Sequence, residues 1–513
     1  MSLANTSTVR TGDRVDVGKF LTASVLLGIC FVTSCQNLHG GHGTSGGQGA
    51  GATLALTLRA IPLMAPPGAN LLSFTVNIVS VSLTPAGGGS VNVPLNSESY
   101  RAEFMRLQSD SAFLGVGKSI PAGTYTNLVV SFANPTVTYC TQTQSIVGCA
   151  AGSVRTLAGQ SATPIISTSP FPLTLVDGQT DSLSISVNLT NALSVNSQAQ
   201  AITDVTLGAA NVVTAIELPP AANSFAAGTT DLIDDVTGDI LSVDSATQTV
   251  TVQTAMRGAL VAKAGPTTIL SPNCSTFNLG ASLACAKQGQ VASLDMTLNT
   301  DGTLSLLEYD PLATTEGDWI EGVVVEPSFS STQFQVVTND LVLATSGTSI
   351  GANLNLGALV TINLVNPKPF VVDSKGLNVP VSSFPGGTDA SVLQPGETIA
   401  LHVIGFAPAS GAKVASANAD FLYLRFTRVT GLVGVVAPPN SFTMQPFPSF
   451  FGLSLPVTVQ LSTGEPSTNF DGISDASSLA SQQTVSLTSL YFGPPAGPTP
   501  TSTPFCAWKV RTP

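Results

Sequence analysis

Cysteines are the residues of this 513-residue chain whose spacing most directly suggests chemistry. Two of the seven lie near the N-terminus, and the remaining five are Cys140, Cys149, Cys274, Cys285 and Cys506. The spacings of 9 and 11 residues in 140–149 and 274–285 predict two local disulfides, which an exported protein can keep. Buried free thiols and a metal site are the alternatives, but neither pair has C-x-x-C spacing and no histidine lies nearby. Cys506 is left over as a free thiol or an intermolecular partner.

Histidine, the commonest general base, occurs only three times. His39 and His42 lie in a glycine-rich segment, where we expect solvated linker rather than a metal contact. His402 lies in the alternating segment 399–404, which favours a hydrogen-bonded histidine in a β-structure over a base. The letters G-x-S-x-G occur at 43–47, but the strand and helix that a nucleophile elbow needs are not predicted there. We therefore predict no catalytic residue and no enzyme activity.

Acidic residues form one cluster along the chain, at Asp231, Asp234, Asp235 and Asp239. Carboxylates are preferred ligands of Ca²⁺, but we expect a solvated acidic strand at the start of a domain. Segment 297–308 partly matches an EF-hand loop, yet Thr297 replaces the first Asp, and Asp301-Gly302 is a hairpin signal. We predict neither a metal nor another cofactor.

The N-terminal segment has the pattern of an export signal. Its basic residues are Arg10, Arg14 and Lys19. The uncharged run 20–32 that follows has 13 residues, which suits a signal peptide and is too short to cross a bilayer. It ends in Val-Thr-Ser-Cys at 32–35, which resembles the bacterial lipobox. The resemblance implies that residues 1–34 are a lipoprotein signal peptide and that Cys35 is lipidated.

An ordinary signal peptide or a short membrane anchor is the alternative to this lipoprotein signal. In Gram-negative lipoproteins an Asp after the lipidated Cys retains the protein in the inner membrane, and this chain has Gln36 there. The resemblance therefore implies an exported protein on the outer membrane. Residues 35–51 are rich in glycine and predict a flexible tether, which would hold the following domain about 20 Å from the lipid.

The amino-acid composition limits which partners the protein can bind and which fold class it can adopt. The chain has 18 basic and 30 acidic residues, a net charge of −12, and no Lys/Arg cluster after the signal peptide. Nucleic acid is therefore excluded as a partner, because neutralising phosphates requires a positive face. Only 9% of residues are charged, against about 25% in typical globular proteins. The 47 glycines and 34 prolines suit many short strands joined by turns.

Alternation of apolar and polar residues is typical of strands and recurs along the chain. Clear examples are segments 53–58, 72–78, 126–132 and 181–189. They are rich in Thr, Ser and Val, which favour half-buried strands. No convincing amphipathic helix follows the signal peptide, so we predict an all-β fold.

Four motifs in the first third of the chain carry a family resemblance. They are Leu83-Thr-Pro before a glycine turn at 87–89, Phe104-Met-Arg-Leu, Phe113-Leu-Gly and Ile120-Pro-Ala-Gly-Thr-Tyr. This arrangement resembles a bacterial domain of unknown function, family 4382, that is common in exported lipoproteins. The resemblance covers residues 52–216 and implies an Ig-like or transthyretin-like sandwich.

A weak repeat follows the sandwich. Its units start at Gly238-Asp-Ile-Leu-Ser-Val, Glu321-Gly-Val-Val-Val and Gly431-Leu-Val-Gly-Val-Val. The units resemble another bacterial domain of unknown function, family 5666, which implies small β-barrels in tandem. The third unit is the most divergent, and 507–511 is its predicted closing strand. The predicted organisation is a sandwich at 52–216, a linker at 217–230, barrels at 231–312 and 318–428, and a third unit at 429–513.

These features predict a membrane-anchored lipoprotein with a structural or binding, adhesin-like role. The expected partners are the membrane, through the lipid, and a polysaccharide or an envelope protein. An extracellular polymer hydrolase is an alternative, and an Asp/Glu pair in a cleft lined by Trp319, Tyr309 or Tyr423 would mark it. The other alternative is an accessory subunit of an envelope assembly or export machine.

The lipid anchor gives the first test. Because the β domains have no predicted membrane-inserting segment, the lipid would be their main hold on the bilayer. Cys35→Ala should therefore abolish metabolic labelling with a radioactive fatty acid and move the protein out of the detergent phase. A mutant that still enters the detergent phase after signal cleavage would show that the lipobox assignment is wrong.

Overall fold

The computed structural model describes residues 51–61, 70–141, 148–149, 152–199, 201–218, 229–270, 283, 285–344, 347–348, 350–379, 387–453, 456–464, 466–493 and 505–513. The predicted signal peptide, Cys35 and all of the tether except Gly51 lie outside these residues. The alternating segments form strands, and the all-β prediction is confirmed. None of the helices that the structure describes is long and apolar enough to span a bilayer.

The first part of the chain is a two-sheet sandwich. Its strands are β1 (Ala52–Ile61), β2 (Asn70–Pro85), β3 (Val91–Val93), β4 (Tyr100–Glu103), β5 (Ala112–Ile120), β6 (Gly123–Cys140), β7 (Val154–Ala158), β8 (Ile165–Ile166), β9 (Leu173–Leu175), β10 (Thr180–Asn188), β11 (Leu193–Asn196), β12 (Ala201–Val205) and β13 (Val213–Glu217). One sheet has the order β13-β10-β1-β5 and the other β3-β2-β6-β7, with β4, β8 and β9 beside it. A 3₁₀ helix over Arg106–Gln108 and a short helix α1 (Leu189–Ala192) join strands.

Strand β1 is buried on both faces, which explains its apolar character. Leu56 and every second residue on either side of it along β1 lie in the core that both sheets share. The residues between them face the next domain: Ala55 packs in that domain's core, and the Thr57 hydroxyl donates to Asp231 Oδ2 at 2.9 Å. The sandwich is therefore packed directly against the barrel that follows it.

Three β-barrels follow the sandwich. The first consists of β14 (Thr229–Asp244), β15 (Thr249–Thr254), β16 (Gly258–Leu270), β17 (Val291–Asn299) and β18 (Leu304–Ala313). The second consists of β19 (Asp318–Ser330), β20 (Gln333–Val342), β21 (Leu359–Leu364), β22 (Val371–Val372), β23 (Thr398–Ala407) and β24 (Ala415–Arg425). The third consists of β25 (Thr427–Ala437), β26 (Ser441–Gln445), β27 (Val457–Leu461), β28 (Asn469–Asp471), β29 (Thr484–Tyr491) and β30 (Phe505–Arg511). Short 3₁₀ helices cover Ile350–Ala352, Ala390–Val392, Ser449–Phe451 and Ala476–Ser478.

All three barrels close by the same five-strand ring. In the first barrel, β14 pairs antiparallel with β15 and with β17. Strand β16 pairs antiparallel with β15 and parallel with β18, and β17 pairs antiparallel with β18, which closes the ring. The same pairings recur in the second barrel and in the third. Strands β22 and β28 add to the last strand in equivalent positions. The prediction of repeated small barrels is confirmed, and segment 507–511 lies in the closing strand of the third.

The glycine that starts each predicted repeat lies where the second strand crosses closely over the first. A Cβ at Gly238 would lie 2.1 Å from the Gln253 carbonyl oxygen, and one at Gly322 would lie 2.7 Å from that of Val337. At Gly431 the nearest atom is Met444 Cγ, at 2.9 Å. At Gly238 and Gly322 a side chain would meet the backbone of the second strand and force the two strands apart, whereas at Gly431 the Met444 side chain would have to move.

Charged side chains are buried where the sandwich and the barrels meet. The basic residues of this region are the buried Arg106, Lys375, Arg425, Lys509 and Arg511 and the partly buried Arg257 and Arg428. Arg106 of the sandwich contacts Asp340 of the second barrel at 2.8 Å. Arg428 of the third barrel contacts Asp110 of the sandwich at 3.0 Å. These pairs therefore join parts of the molecule that are distant in sequence. We call this set and its carboxylate partners the central ion cluster.

Asp235 of the first barrel contacts cations from both the second and the third barrel. Its carboxylate lies 2.7 Å from Lys375 Nζ and 3.3 Å from Arg425 Nη2, and it also contacts Arg428. Burial alone would raise the pKa of Asp235, but Lys375, Arg428 and Arg425 outweigh it and hold the pKa well below its ordinary value. Asp235 is therefore a buried carboxylate that stays ionised.

The expectation of a solvated acidic strand at 231–239 is wrong. Asp231, Asp234, Asp235 and Asp239 are 3%, 1%, 0% and 8% exposed. The first three contact cations from the second and third barrels: Asp234, for example, accepts a hydrogen bond from Lys509. Burial of these carboxylates is tolerated because their partners, which lie far along the chain, are buried with them.

Removing one cation of the cluster should destabilise the whole molecule. Arg425 contacts Asp235, Glu321 and Asp373, and Arg425→Met would remove one cationic partner from each of these three buried carboxylates. We expect a loss of about 3–5 kcal/mol in the free energy of unfolding, measured by urea denaturation. The exposed Arg155 is the control, because Arg155→Met should cost less than about 0.5 kcal/mol. Equal losses in the two variants would contradict the structural role of the cluster.

Candidate functional site

A cleft of about 410 Å³ lies between the first and second barrels. Its walls come from the end of β18, the following residues Thr314 and Thr315, and β19, β23 and β24 of the second barrel. The volume is in the range of small-molecule sites, which commonly lie between domains. We call this feature the aromatic cleft, because Trp319, His402, Phe421 and Tyr423 all line it.

Strand register brings the four rings of the aromatic cleft together. Trp319 of β19 lies opposite His402 of β23, and His402 lies opposite Phe421 of β24. Tyr423, two residues further along β24, points to the same face. The ring centres of Trp319 and His402 are 5.4 Å apart, and Phe421 and Tyr423 meet edge to face at 4.8 Å. The rings thus form one continuous wall on the outside of the second barrel.

His402 has a fixed tautomer in this wall. Its Nδ1 lies 2.6 Å from Asp420 Oδ1. An ionised carboxylate can only accept, so Nδ1 donates the proton and the neutral ring keeps Nε2 as an acceptor. Asp420 also faces Lys368, whose Nζ lies 3.8 Å from Oδ2 and 5.7 Å above the Phe421 ring. Nε2 of His402 can therefore accept a hydrogen bond, or a proton, from a bound molecule.

The indole N–H of Trp319 is the matching donor. Trp319 is 3% exposed, and its Nε1 has no hydrogen-bond partner among the described residues. Leaving a buried donor unpaired costs about 1–3 kcal/mol. A Cβ on Gly317 would lie 2.8 Å from His402 Nε2 and 3.5 Å from Trp319 Nε1, so both nitrogens lie beside this glycine. A side chain at position 317 would cover the donor and the acceptor together.

Three carboxylates are grouped near the start of β19. Burial, together with the negative charges of Glu316 and Asp318, raises the pKa of Asp239 to about 7. Asp318 is held by the loop that follows β20, accepting from the Ala344 N–H at 2.9 Å and from the Thr348 hydroxyl at 2.7 Å. Asp239 has no comparable stabilisation, and its Oδ1 is without a partner in the described part of the chain.

The cysteines that the sequence singled out lie in different environments. The sulfurs of Cys140 and Cys149 lie within disulfide-bonding distance, with Cα atoms 5.9 Å apart. Cys274 lies outside the described residues, so the predicted 274–285 pair is not described. The Cys506 thiol is buried in the interior, which raises its pKa to about 11. In the described part of the chain no group of three His, Cys, Asp or Glu side chains is arranged to hold a metal ion.

The sequence analysis named three aromatic residues only as the lining that a hydrolase cleft would have. Of these, Trp319 and Tyr423 line the aromatic cleft, whereas Tyr309 is buried and donates to Gln290 Oε1 at 2.9 Å. His402 is hydrogen-bonded, as predicted. Phe421 was missed, although the alternation Phe-Leu-Tyr at 421–423 places it on the same face as Tyr423.

Comparisons with known proteins find no match for this chain. No family model matches it, and no curated protein and no solved structure is similar to it. The resemblance to families 4382 and 5666 therefore stays a prediction.

The three carboxylates near the start of β19 make the stability of the folded protein depend on pH. An acid with a raised pKa in the folded state binds a proton more tightly than in the unfolded state, so stability falls as pH rises from about 4 to 7. Burial likewise raises the pKa of Glu103 and Glu397. We expect a higher Tm at pH 5 than at pH 8, measured by calorimetry. Asp239→Asn should raise the Tm at pH 8, on the order of 1 °C, and leave it unchanged at pH 5.

The exposed Asp244 on the same strand is the control for this pH effect. Hydrogen bonds from Thr247 and Ala246 lower its pKa, so any stability linked to its ionisation is lost only in acid, below the range tested. Asp244→Asn should therefore leave the difference between pH 5 and pH 8 unchanged. A Tm that rises from pH 5 to pH 8 in the wild-type protein would contradict the assignment.

Proposed function

We propose that this chain is an exported lipoprotein, anchored through Cys35, that binds a saccharide unit of an envelope or extracellular polymer in the aromatic cleft. Support for anchoring comes from the lipobox pattern and the glycine-rich tether. Support for the ligand comes from the cleft itself, and above all from the unpaired Trp319 N–H beside the His402 acceptor.

The donor and the acceptor together favour hydroxyl groups. A hydroxyl both donates and accepts, so two neighbouring hydroxyls of a sugar can satisfy Trp319 Nε1–H and His402 Nε2 at once. A ligand with acceptors alone would leave His402 Nε2 unused, and a ligand with donors alone would leave the indole unpaired. The half-buried ring of Phe421 adds an apolar surface against which the C–H face of a sugar can pack.

The shape of the site favours a saccharide over an envelope protein. A stable protein interface buries at least about 1,000 Å² and usually has a flat, apolar centre. The aromatic cleft is instead concave and about 410 Å³ in volume. Its polar groups, which include His402, Thr314 and Thr315, are spread among the aromatic rings. Such a mixture is typical of sites for small polar ligands.

Binding of neutral oligosaccharides tests this proposal. Fragments of envelope and extracellular polysaccharides are titrated into the purified protein and the heat of binding is measured. Phe421→Ala should weaken binding at least about 10-fold, and Gly317→Val should abolish it by covering Trp319 Nε1 and His402 Nε2. Phe406→Ala is the matched control, because Phe406 is also half-buried in the second barrel but does not line the cleft.

Two outcomes would contradict the proposal. If no oligosaccharide binds, or if all three variants bind as the wild-type protein does, the aromatic cleft is not a saccharide site. Release of new reducing ends from the fragments would favour the polymer hydrolase instead, with His402 and Asp420 as the first residues to mutate.

A further inference from the structure

A second depression, a groove of about 480 Å³, lies between the sandwich and the second barrel. One wall is the sheet face formed by β2, β6 and β7, with Thr75, Thr136 and Thr156. The other wall is the segment 355–358 of the second barrel. This polar groove has no lining residue in common with the aromatic cleft, and none of its described lining residues is an aspartate or a glutamate.

Arg101 is the charged residue of the polar groove. Its Nε donates to Asn77 Oδ1 at 3.0 Å and its Nη1 donates to Asn355 Oδ1 at 2.9 Å. Both acceptors are neutral amides, and Arg101 forms no ion pair with any described residue. In contrast, Arg106, Arg257 and Arg428 each lie within 3.0 Å of a carboxylate. Arg101 is therefore a partly buried guanidinium whose described partners are all uncharged.

The neighbours of Arg101 make the polar groove rich in hydrogen-bond donors. A guanidinium can only donate, so Asn77 and Asn355 must turn their oxygens towards it. Their NH₂ groups then remain as donors close to the positive charge. The second terminal nitrogen of Arg101 adds a further donor, whereas the hydroxyls of Thr75 and Thr136 already donate to backbone carbonyls. Partial burial lowers the pKa of Arg101, which indicates that solvent compensates its charge incompletely.

We infer that the polar groove binds the carboxylate of an acidic saccharide, such as a uronic acid unit, through Arg101. A guanidinium and a carboxylate are both planar and can form two parallel hydrogen bonds. The threonine and asparagine side chains suit hydroxyl groups, and the groove has none of the aromatic anchors that mark the centre of a protein interface. The inference rests on the proposed function only in the choice of a saccharide.

The test uses two probes that differ in the charge of the carboxyl group and in one methyl group. Oligogalacturonate and its methyl ester are titrated into the intact protein, and the dissociation constants are compared. The wild-type protein should bind the acid at least about 10-fold more tightly than the ester. Arg101→Gln should remove this preference. Arg155→Gln is the matched control, because it removes the same charge from an exposed position on the same sheet and should preserve the preference.

Asn355→Asp keeps the test valid if Arg101→Gln does not fold. It changes little in size and places a carboxylate against Arg101, which would then have an internal partner. This variant should fold, lose at least about 10-fold in affinity for the acid and keep its affinity for the ester.

The outcomes separate the two proposals. Loss of acid binding in Phe421→Ala but not in Arg101→Gln or Asn355→Asp would place the acid in the aromatic cleft and overturn the inference alone. Equal affinity of the wild-type protein for the acid and the ester would also overturn it. Failure of the wild-type protein to bind either probe, together with failure of the neutral oligosaccharides, would overturn both proposals.

Discussion

The ionised carboxylate of Asp235, enclosed by Lys375, Arg425 and Arg428, is the contact on which the arrangement of the barrels depends. Each of these side chains would be strongly unfavourable in an apolar interior without the others. Asp235 has a positive φ of 48°, which is unusual for a residue other than glycine, and lies where the register of β14 shifts between Ile233 and Val236. A bulge in the first barrel thus aims a carboxylate at cations that the second and third barrels supply. Among the described residues, Asp235 has no cationic partner within its own barrel and depends on the second and third barrels for its neutralisation.

The fold could be predicted largely from local patterns. Alternation in segments such as 53–58 predicted strands, because the side chains of a strand face its two sides in turn. The glycines at 238, 322 and 431 marked the repeat because residues of the second strand lie within 3 Å of the Cβ position of each. The third barrel looked divergent in sequence, yet its ring is complete, since backbone pairing tolerates many changes of side chain.

The charged centre and the aromatic cleft were less predictable. Asp235 and Arg428 are 193 residues apart, and no local signal reports such a pairing. An acidic run usually indicates a solvated strand, and that expectation was wrong because its cations come from other barrels. Within the cleft, His402 was correctly expected to be hydrogen-bonded, whereas its contact with Trp319 depends on the register between β19 and β23. Register is set by the whole barrel and is therefore hidden from a local pattern.

The closing strand of the third barrel has a consequence for the order of folding. Lys509 on β30 donates to Asp234 on β14, 275 residues earlier in the chain. Synthesis proceeds from the N-terminus, so Asp234 is made long before its cation and must stay hydrated until β30 arrives. The first barrel can form its strands in the meantime, but its charged face has to remain open to water. Consolidation of the molecule therefore waits for β30, and a chain truncated before β30 would leave Asp234 without Lys509 and Asp231 without Arg511.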